Sequence, residues 1–161
     1  MPHIDQTAVG SSLIGIANAF WGQKNLPEAL KYAEEALAIN ESIERGNEMN
    51  IATNLAILAN IYHNGGESDR ALQLATRSLG LFEQFGSHDS LALATLYNNV
   101  GTMQAMEGLL DEARCSYNKA LEICKKSLPE GHPKRAMMET NIERITAMEE
   151  NALLQQTDSQ C

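Results

Sequence analysis

The side chains best suited to chemistry in this chain of 161 residues are carboxamides. Asn18 and Asn60 stand 42 residues apart, and Asn98 and Asn99 follow as a pair. A carboxamide offers two donors and an acceptor, so it can bond both the N–H and the C=O of an extended backbone. That is the chemistry of recognition. Little else in the chain could make or break a bond. His3, His63, His88 and His132 have no partner at metal-ligand spacing, and Cys115, Cys124 and Cys161 supply none. Each His reads as a surface or linker residue. Cys115 and Cys124 lie nine residues apart, on opposite sides of one helix. That is roughly 13 Å along the axis, too far for a disulfide. Reduced thiols in a cytoplasmic protein are expected. Cys115 has Arg114 and Lys119 near it but no base and orienting group at catalytic spacing. A Gly-rich phosphate loop and a nucleophile elbow are both missing. The acidic pairs Glu34-Glu35, Asp111-Glu112 and Glu149-Glu150 read as solvated helix faces. The expectation is a protein that is not an enzyme and holds no cofactor or metal.

The elements that position the carboxamides follow from a repeat. Ala29–Ile39 (ALKYAEEALAI), Ala71–Leu81 (ALQLATRSLGL) and Ala113–Ile123 (ARCSYNKALEI) align at a spacing of 42 residues with no insertion. A fixed period of this size is the mark of a stacked repeat array. Each period reads as two amphipathic helices. Helix A is expected near 7–22, 47–64 and 89–106, and helix B near 26–45, 68–85 and 110–128. Asn25 caps a B helix, with Pro27 in its first turn and Glu28 three residues on. Gly66 and Gly108 fall at the same point of the A-to-B turn, where positive φ is expected. Lys24 occupies that point in the first repeat, a departure expected to be tolerated with some strain. Gly46, Gly86 and Gly131 mark the B-to-A connections.

The domain reading is a flexible start over 1–6, repeats over about 7–46, 47–88 and 89–131, a capping helix over 132–155 and a disordered tail over 156–161. The capping helix is charged, as a terminal element must be to stop a stack.

Charge narrows the partners. The chain has 12 Lys and Arg against 21 Asp and Glu, a formal net charge of −9 and a pI near 4.9. Binding to a phosphate backbone needs clustered cations, so nucleic acid is not expected. No apolar run reaches the roughly 18 residues of a membrane helix, and no membrane association is expected. The N-terminus lacks the basic and apolar regions of a secretory signal.

The repeat resembles the tetratricopeptide family. That family's eighth, eleventh, twentieth and twenty-seventh positions are small, aromatic, Ala and Ala. Here they read Ala17, Phe20, Ala29 and Ala36, then Ala59, Tyr62, Ala71 and Ser78, then Gly101, Gln104, Ala113 and Ala120. Gln104 and Ser78 depart from the pattern. The usual period is about 34, so 42 is similar to the long-helix subclass of kinesin light chains. Ala94–Gly101, Ala120–Ile123 and Gly131-His132-Pro133 carry that likeness. The resemblance implies an all-α, right-handed superhelical solenoid of about three repeats plus a C-terminal capping helix, with helix A of each repeat lining the concave face.

Residues 6–23, 49–66 and 90–106 contain no Asp, Glu, Lys or Arg, and these windows are the first three A helices. A solvated face normally carries charge. Either burial alone removes it, or the groove is kept neutral for a peptide or partner helix. One period apart, three ladders cross this expected face: Asn18, Asn60, Thr102 and Arg144; Ile14, Ala56, Asn98 and Thr140; Trp21, His63, Ala105 and Ala147. Ile14, Asn18 and Trp21 share one side of their helix. The resemblance implies that Asn residues of helix A read a peptide backbone, which favours Asn18, Asn60, Asn98 and Asn99. The expected peptide-binding set is Ile14, Asn18, Trp21, Ala56, Asn60, His63, Asn98, Asn99, Thr102 and Arg144. The family's carboxylate clamp needs several cations, and only Arg144 is available, so capture of an acidic C-terminus is not expected. Trp21 either covers the turn or anchors a ligand.

The function expected is a scaffold that binds an extended or helical peptide of a partner protein. The alternative is self-association, or a place within a larger repeat scaffold, because the first A helix (Ala8, Val9, Leu13, Ile14, Ile16 and Phe20) has no polar cap before it and its outer flank is open to a second copy or to further repeats. A monomer is expected, with a homodimer through the first helix as the alternative.

Overall fold

The computed structural model describes residues 5–43 and 46–158, and side chains up to residue 155. Among them the chain forms seven helices and no strand: α1 (Gln6–Gly22), α2 (Leu26–Ser42), α3 (Glu48–Asn64), α4 (Ser68–Phe85), α5 (Leu91–Met106), α6 (Leu110–Ser127) and α7 (Pro133–Asp158). The chain divides into two compact units, Met1–Ser87 with α1 to α4 and His88–Cys161 with α5 to α7.

In the first unit, α1 pairs with α2, α3 with α4, and α2 with α3. Asp5 opens α1 by accepting from the amides of Thr7 at 3.0 Å and Ala8 at 3.3 Å. Asn25 caps α2 through the amide of Glu28. Alanines hold the helix crossings: Ala17, Ala29, Ala33 and Ala36 in the first hairpin, and Ala52, Ala59, Ala71 and Ala75 in the second, are all buried. Short side chains bring helix axes to the near end of the usual 8–10 Å range. Ser78, the departure from Ala, stays buried because its hydroxyl donates to the Ala52 carbonyl at 2.6 Å.

In the second unit, α5 pairs with α6 and α6 with α7. Ser90 caps α5, and Ala94, Gly101, Ala113 and Ala120 form the close crossing. Ile145 on α7 packs with Ala113 and Tyr117 of α6.

The A-to-B turn is the same structure three times. Asn25 N donates to Phe20 O, Glu67 N to Tyr62 O and Leu109 N to Gln104 O, each at 2.9 Å. One residue earlier, Lys24, Gly66 and Gly108 have φ of 59°, 84° and 77°. This six-residue closure needs a left-handed residue, as expected at all three positions. Lys24 adopts it despite its Cβ.

The departures sit at helix ends. α2 is helical over Leu26–Ser42, and residues 44–45 of its expected span lie outside the described residues; α5 begins at Leu91 after the Ser90 cap rather than at Asp89, and α6 ends at Ser127. α7 continues to Asp158, so backbone expected to be disordered from residue 156 is helical for three more residues. Gly86 takes an extended conformation, φ −92° and ψ −179°, with no left-handed turn. The expected flexible residues 1–4 with His3, and the last tail residues 159–161 with Cys161, lie outside the described residues.

Candidate functional site

In the first unit the charge-free helices are α1 and α3, and they differ in burial. α3 is enclosed, with eight buried residues from Ala52 to Tyr62. Packing alone accounts for its lack of charge. In α1 only Gly10 and Ala17 are buried. A helix this exposed has no packing reason to exclude Lys or Glu.

Ile14 and Trp21 are partly buried on α1, and Asn18, between them, is exposed. On α3, Ala56, Asn60 and His63 are all partly buried. The His63 Nδ1 is enclosed without a hydrogen-bond partner among the described residues. Trp21 joins Lys24, Leu26 and Asn64 around a cleft of about 390 Å³, so its indole both flanks the turn and walls an open space. Phe20, one residue earlier, turns inward and stacks on Tyr32 with ring centroids 5.5 Å apart and planes within 2°.

The equivalent pair in the second unit is polar. Gln104 stands where Phe20 stands and Ser116 where Tyr32 stands, and Ser116 Oγ donates to Gln104 Oε1 at 2.7 Å. A stacked aromatic pair is thus exchanged for a hydrogen-bonded pair. In the second repeat Tyr62 keeps the aromatic. Its hydroxyl donates to Glu34 Oε1 at 2.7 Å, and the Arg70 guanidinium lies 4.2 Å over its ring. Burial first, and then the Glu34 carboxylate, push this phenol up to about 12.

The second unit gathers several expected site residues. Asn98 and Asn99 are partly buried on α5, Thr102 lies one turn on, and Arg144 is exposed on α7. Thr102 Oγ1 donates to the Asn98 carbonyl at 3.0 Å, and Asn141 Nδ2 donates to Asn98 Oδ1 at 2.8 Å. The residue that joins them, Tyr117 of α6, was not among those expected. Its hydroxyl lies 3.1 Å from Thr102 Oγ1 and 3.5 Å from Arg144 Nη2. A signal for it existed in the sequence. Tyr117 replaces Ala33 and Ala75 of the other repeats, and Gly101 replaces Ala17 and Ala59 opposite. A Cβ on Gly101 would come within 3.0 Å of two Tyr117 ring carbons, so the smaller residue admits the larger one.

On α6, Cys115 is exposed and Cys124 buried, and burial pushes the Cys124 thiol up against the opposing pull of Lys134 and Arg135. Among the described residues no three His, Cys, Asp or Glu side chains converge as a metal site, and no helix is long and apolar enough to cross a membrane.

Comparison with known proteins agrees with this repeat geometry. The family model described as tetratricopeptide repeat matches residues 7–84 and 49–126. No curated protein sequence matches. Among solved structures, BtubC (BKLC) from P. vanneervenii is 23% identical, with a TM-score of 0.78 over 90% of this chain and 58% of that one. The apo form of RapI is 19% identical, with a TM-score of 0.80 over 93% of this chain and 53% of that one. A putative kinesin light chain from Podosopora anserina with nearly identical TPR-like repeats is 18% identical, with a TM-score of 0.77 over 90% and 67%. The chain spans just over half the length of the first two structures.

Proposed function

The chain belongs to the tetratricopeptide repeat family of protein–protein interaction scaffolds, and from that premise we propose that its A-helix faces bind an extended or helical peptide of a partner protein. The observation that carries this reading is α1, a helix with two buried residues and no charge along its length. Asn18 and Trp21 give that face a backbone reader and a flat apolar anchor. In the second unit, taken by itself, Asn98, Thr102 and Arg144 offer a polar face of the same kind. A cytoplasmic setting and the absence of catalysis belong to the same proposal.

A peptide selected from a random display library on the full chain tests it. Binding should shift the fluorescence of Trp21, the single tryptophan. Asn18→Ala should weaken binding about fivefold, the equivalent of one hydrogen bond, without moving the melting temperature. A lower melting temperature with unchanged affinity would make Asn18 structural and end the proposal for α1.

Self-association is the second reading, favoured by Val9 at 36% and Ile16 at 40% exposure on α1. A net charge of −9 per copy opposes it. Sedimentation separates the two readings: a concentration-independent monomer fits peptide binding, whereas a dimer broken by Val9→Glu fits a helix–helix interface.

A further inference from the structure

We propose that Tyr117 is a positioning residue for recognition, holding Arg144 and Thr102 so that the exposed guanidinium meets an acceptor oxygen of the bound chain. The inference rests on the reading of the A-helix faces as the binding surface. It names the chemistry that one part of that surface takes.

The geometry is directional. Thr102 has one hydroxyl proton, and it donates that proton to the Asn98 carbonyl at 3.0 Å. The contact between Thr102 and Tyr117 at 3.1 Å must then use the phenolic proton. The phenol oxygen is left to accept from Arg144 Nη2 at 3.5 Å. Donation therefore runs from Arg144 to Tyr117, to Thr102, to the Asn98 carbonyl, and it links α7, α6 and α5. Asn141 ties α7 to α5 a second time through Asn98 Oδ1. Tyr117 itself is 0% exposed, so it touches no ligand and acts only through its neighbours. Arg144 is exposed, and a guanidinium carries five N–H donors in a rigid fork, of which the phenol takes one. A fork already oriented has less motion to lose when a partner binds. The group it meets is an oxygen acceptor, which a bound peptide can supply as a side-chain carboxylate or a backbone carbonyl.

The test uses the full chain and the display-selected peptide in two versions, one as selected and one with every Asp and Glu changed to Asn and Gln. Tyr117→Phe keeps the ring beside Gly101 and removes only the phenol oxygen. It should weaken binding about fivefold to tenfold, with a fall in melting temperature of only about 2–4 °C for the lost buried hydrogen bond. In the ligand-free protein, ¹⁵N relaxation should show the Arg144 guanidinium moving faster than in wild type. Arg144→Lys, which keeps the charge but loses the fork, should bind less tightly than wild type. Weakening confined to the acidic peptide identifies a carboxylate as the acceptor, and equal weakening of both identifies backbone carbonyls. Wild-type affinity together with unchanged Arg144 relaxation overturns the proposal. Should no peptide be selected, the reading of the faces fails, and the relaxation measurement still decides whether Tyr117 holds Arg144.

Discussion

At the scale of the residue, the Tyr62 phenol of α3 is held by burial and by the Glu34 carboxylate 2.7 Å away. Tyr62 stands at the repeat's aromatic position, so its burial was legible. Its bond to Glu34, 28 residues earlier, was not, because nothing local joins the two. The structure makes that bond testable. Burial and Glu34 hold the phenol protonated up to about 12, against an ordinary value of 10. The folded state therefore keeps a proton that the unfolded chain releases. Stability from this group is fully present below pH 10 and is lost as pH climbs through 12. The gap in melting temperature between wild type and Tyr62→Phe should be constant from pH 7 to 9 and close between pH 10 and 12. A gap that stays constant through pH 12 would contradict the assignment. Tyr117 was harder to read. It is the only aromatic at its place in the three repeats, and its meaning depends on Gly101 opposite, a pairing visible only once α5 and α6 are placed together. Asn40 is a further case. It is wholly buried, its amide has no partner among the described residues, and a Cβ on Gly10 would overlap its Oδ1. A buried unpartnered amide runs against every local rule, and no pattern in the sequence announced it.

At the scale of the helix and turn, the period carried most of the information. α4 runs over Ser68–Phe85, the span that the repeat implies. Ends were read less well where a cap decided them: Ser90 accepts from the Leu93 amide and so delays α5 past Asp89. The A-to-B turn was legible because two of its three copies carry glycine. Lys24 in the third has φ of 59°, a conformation that costs a residue with a Cβ roughly 1 kcal/mol. Lys24→Gly should therefore raise stability by somewhat less than that, because glycine also gains freedom in the unfolded chain. Gly66→Ala should lower it by about 1 kcal/mol. Denaturant melts of both variants check the pair. A destabilised Lys24→Gly would show that the lysine side chain contributes something the turn geometry does not reveal.

For the whole molecule, the same lack of charge has two physical causes, and only the structure separates them. In α3 and α5 burial suffices, with eight and seven buried residues. In α1 it does not. Sequence composition could not tell these helices apart, since all three windows are equally free of Asp, Glu, Lys and Arg. The scaffold role follows from the family, and the peptide-binding reading we propose rests on α1 in the first unit and, separately, on the hydrogen-bonded group around Tyr117 in the second. Chemical-shift mapping of the full chain with the display-selected peptide tests that reading most directly. The perturbed amides should fall on α1, α3, α5 and α7, centred on Asn18, Trp21, Asn98, Thr102 and Arg144. Perturbations confined to the outer faces of α2, α4 and α6 would contradict the account.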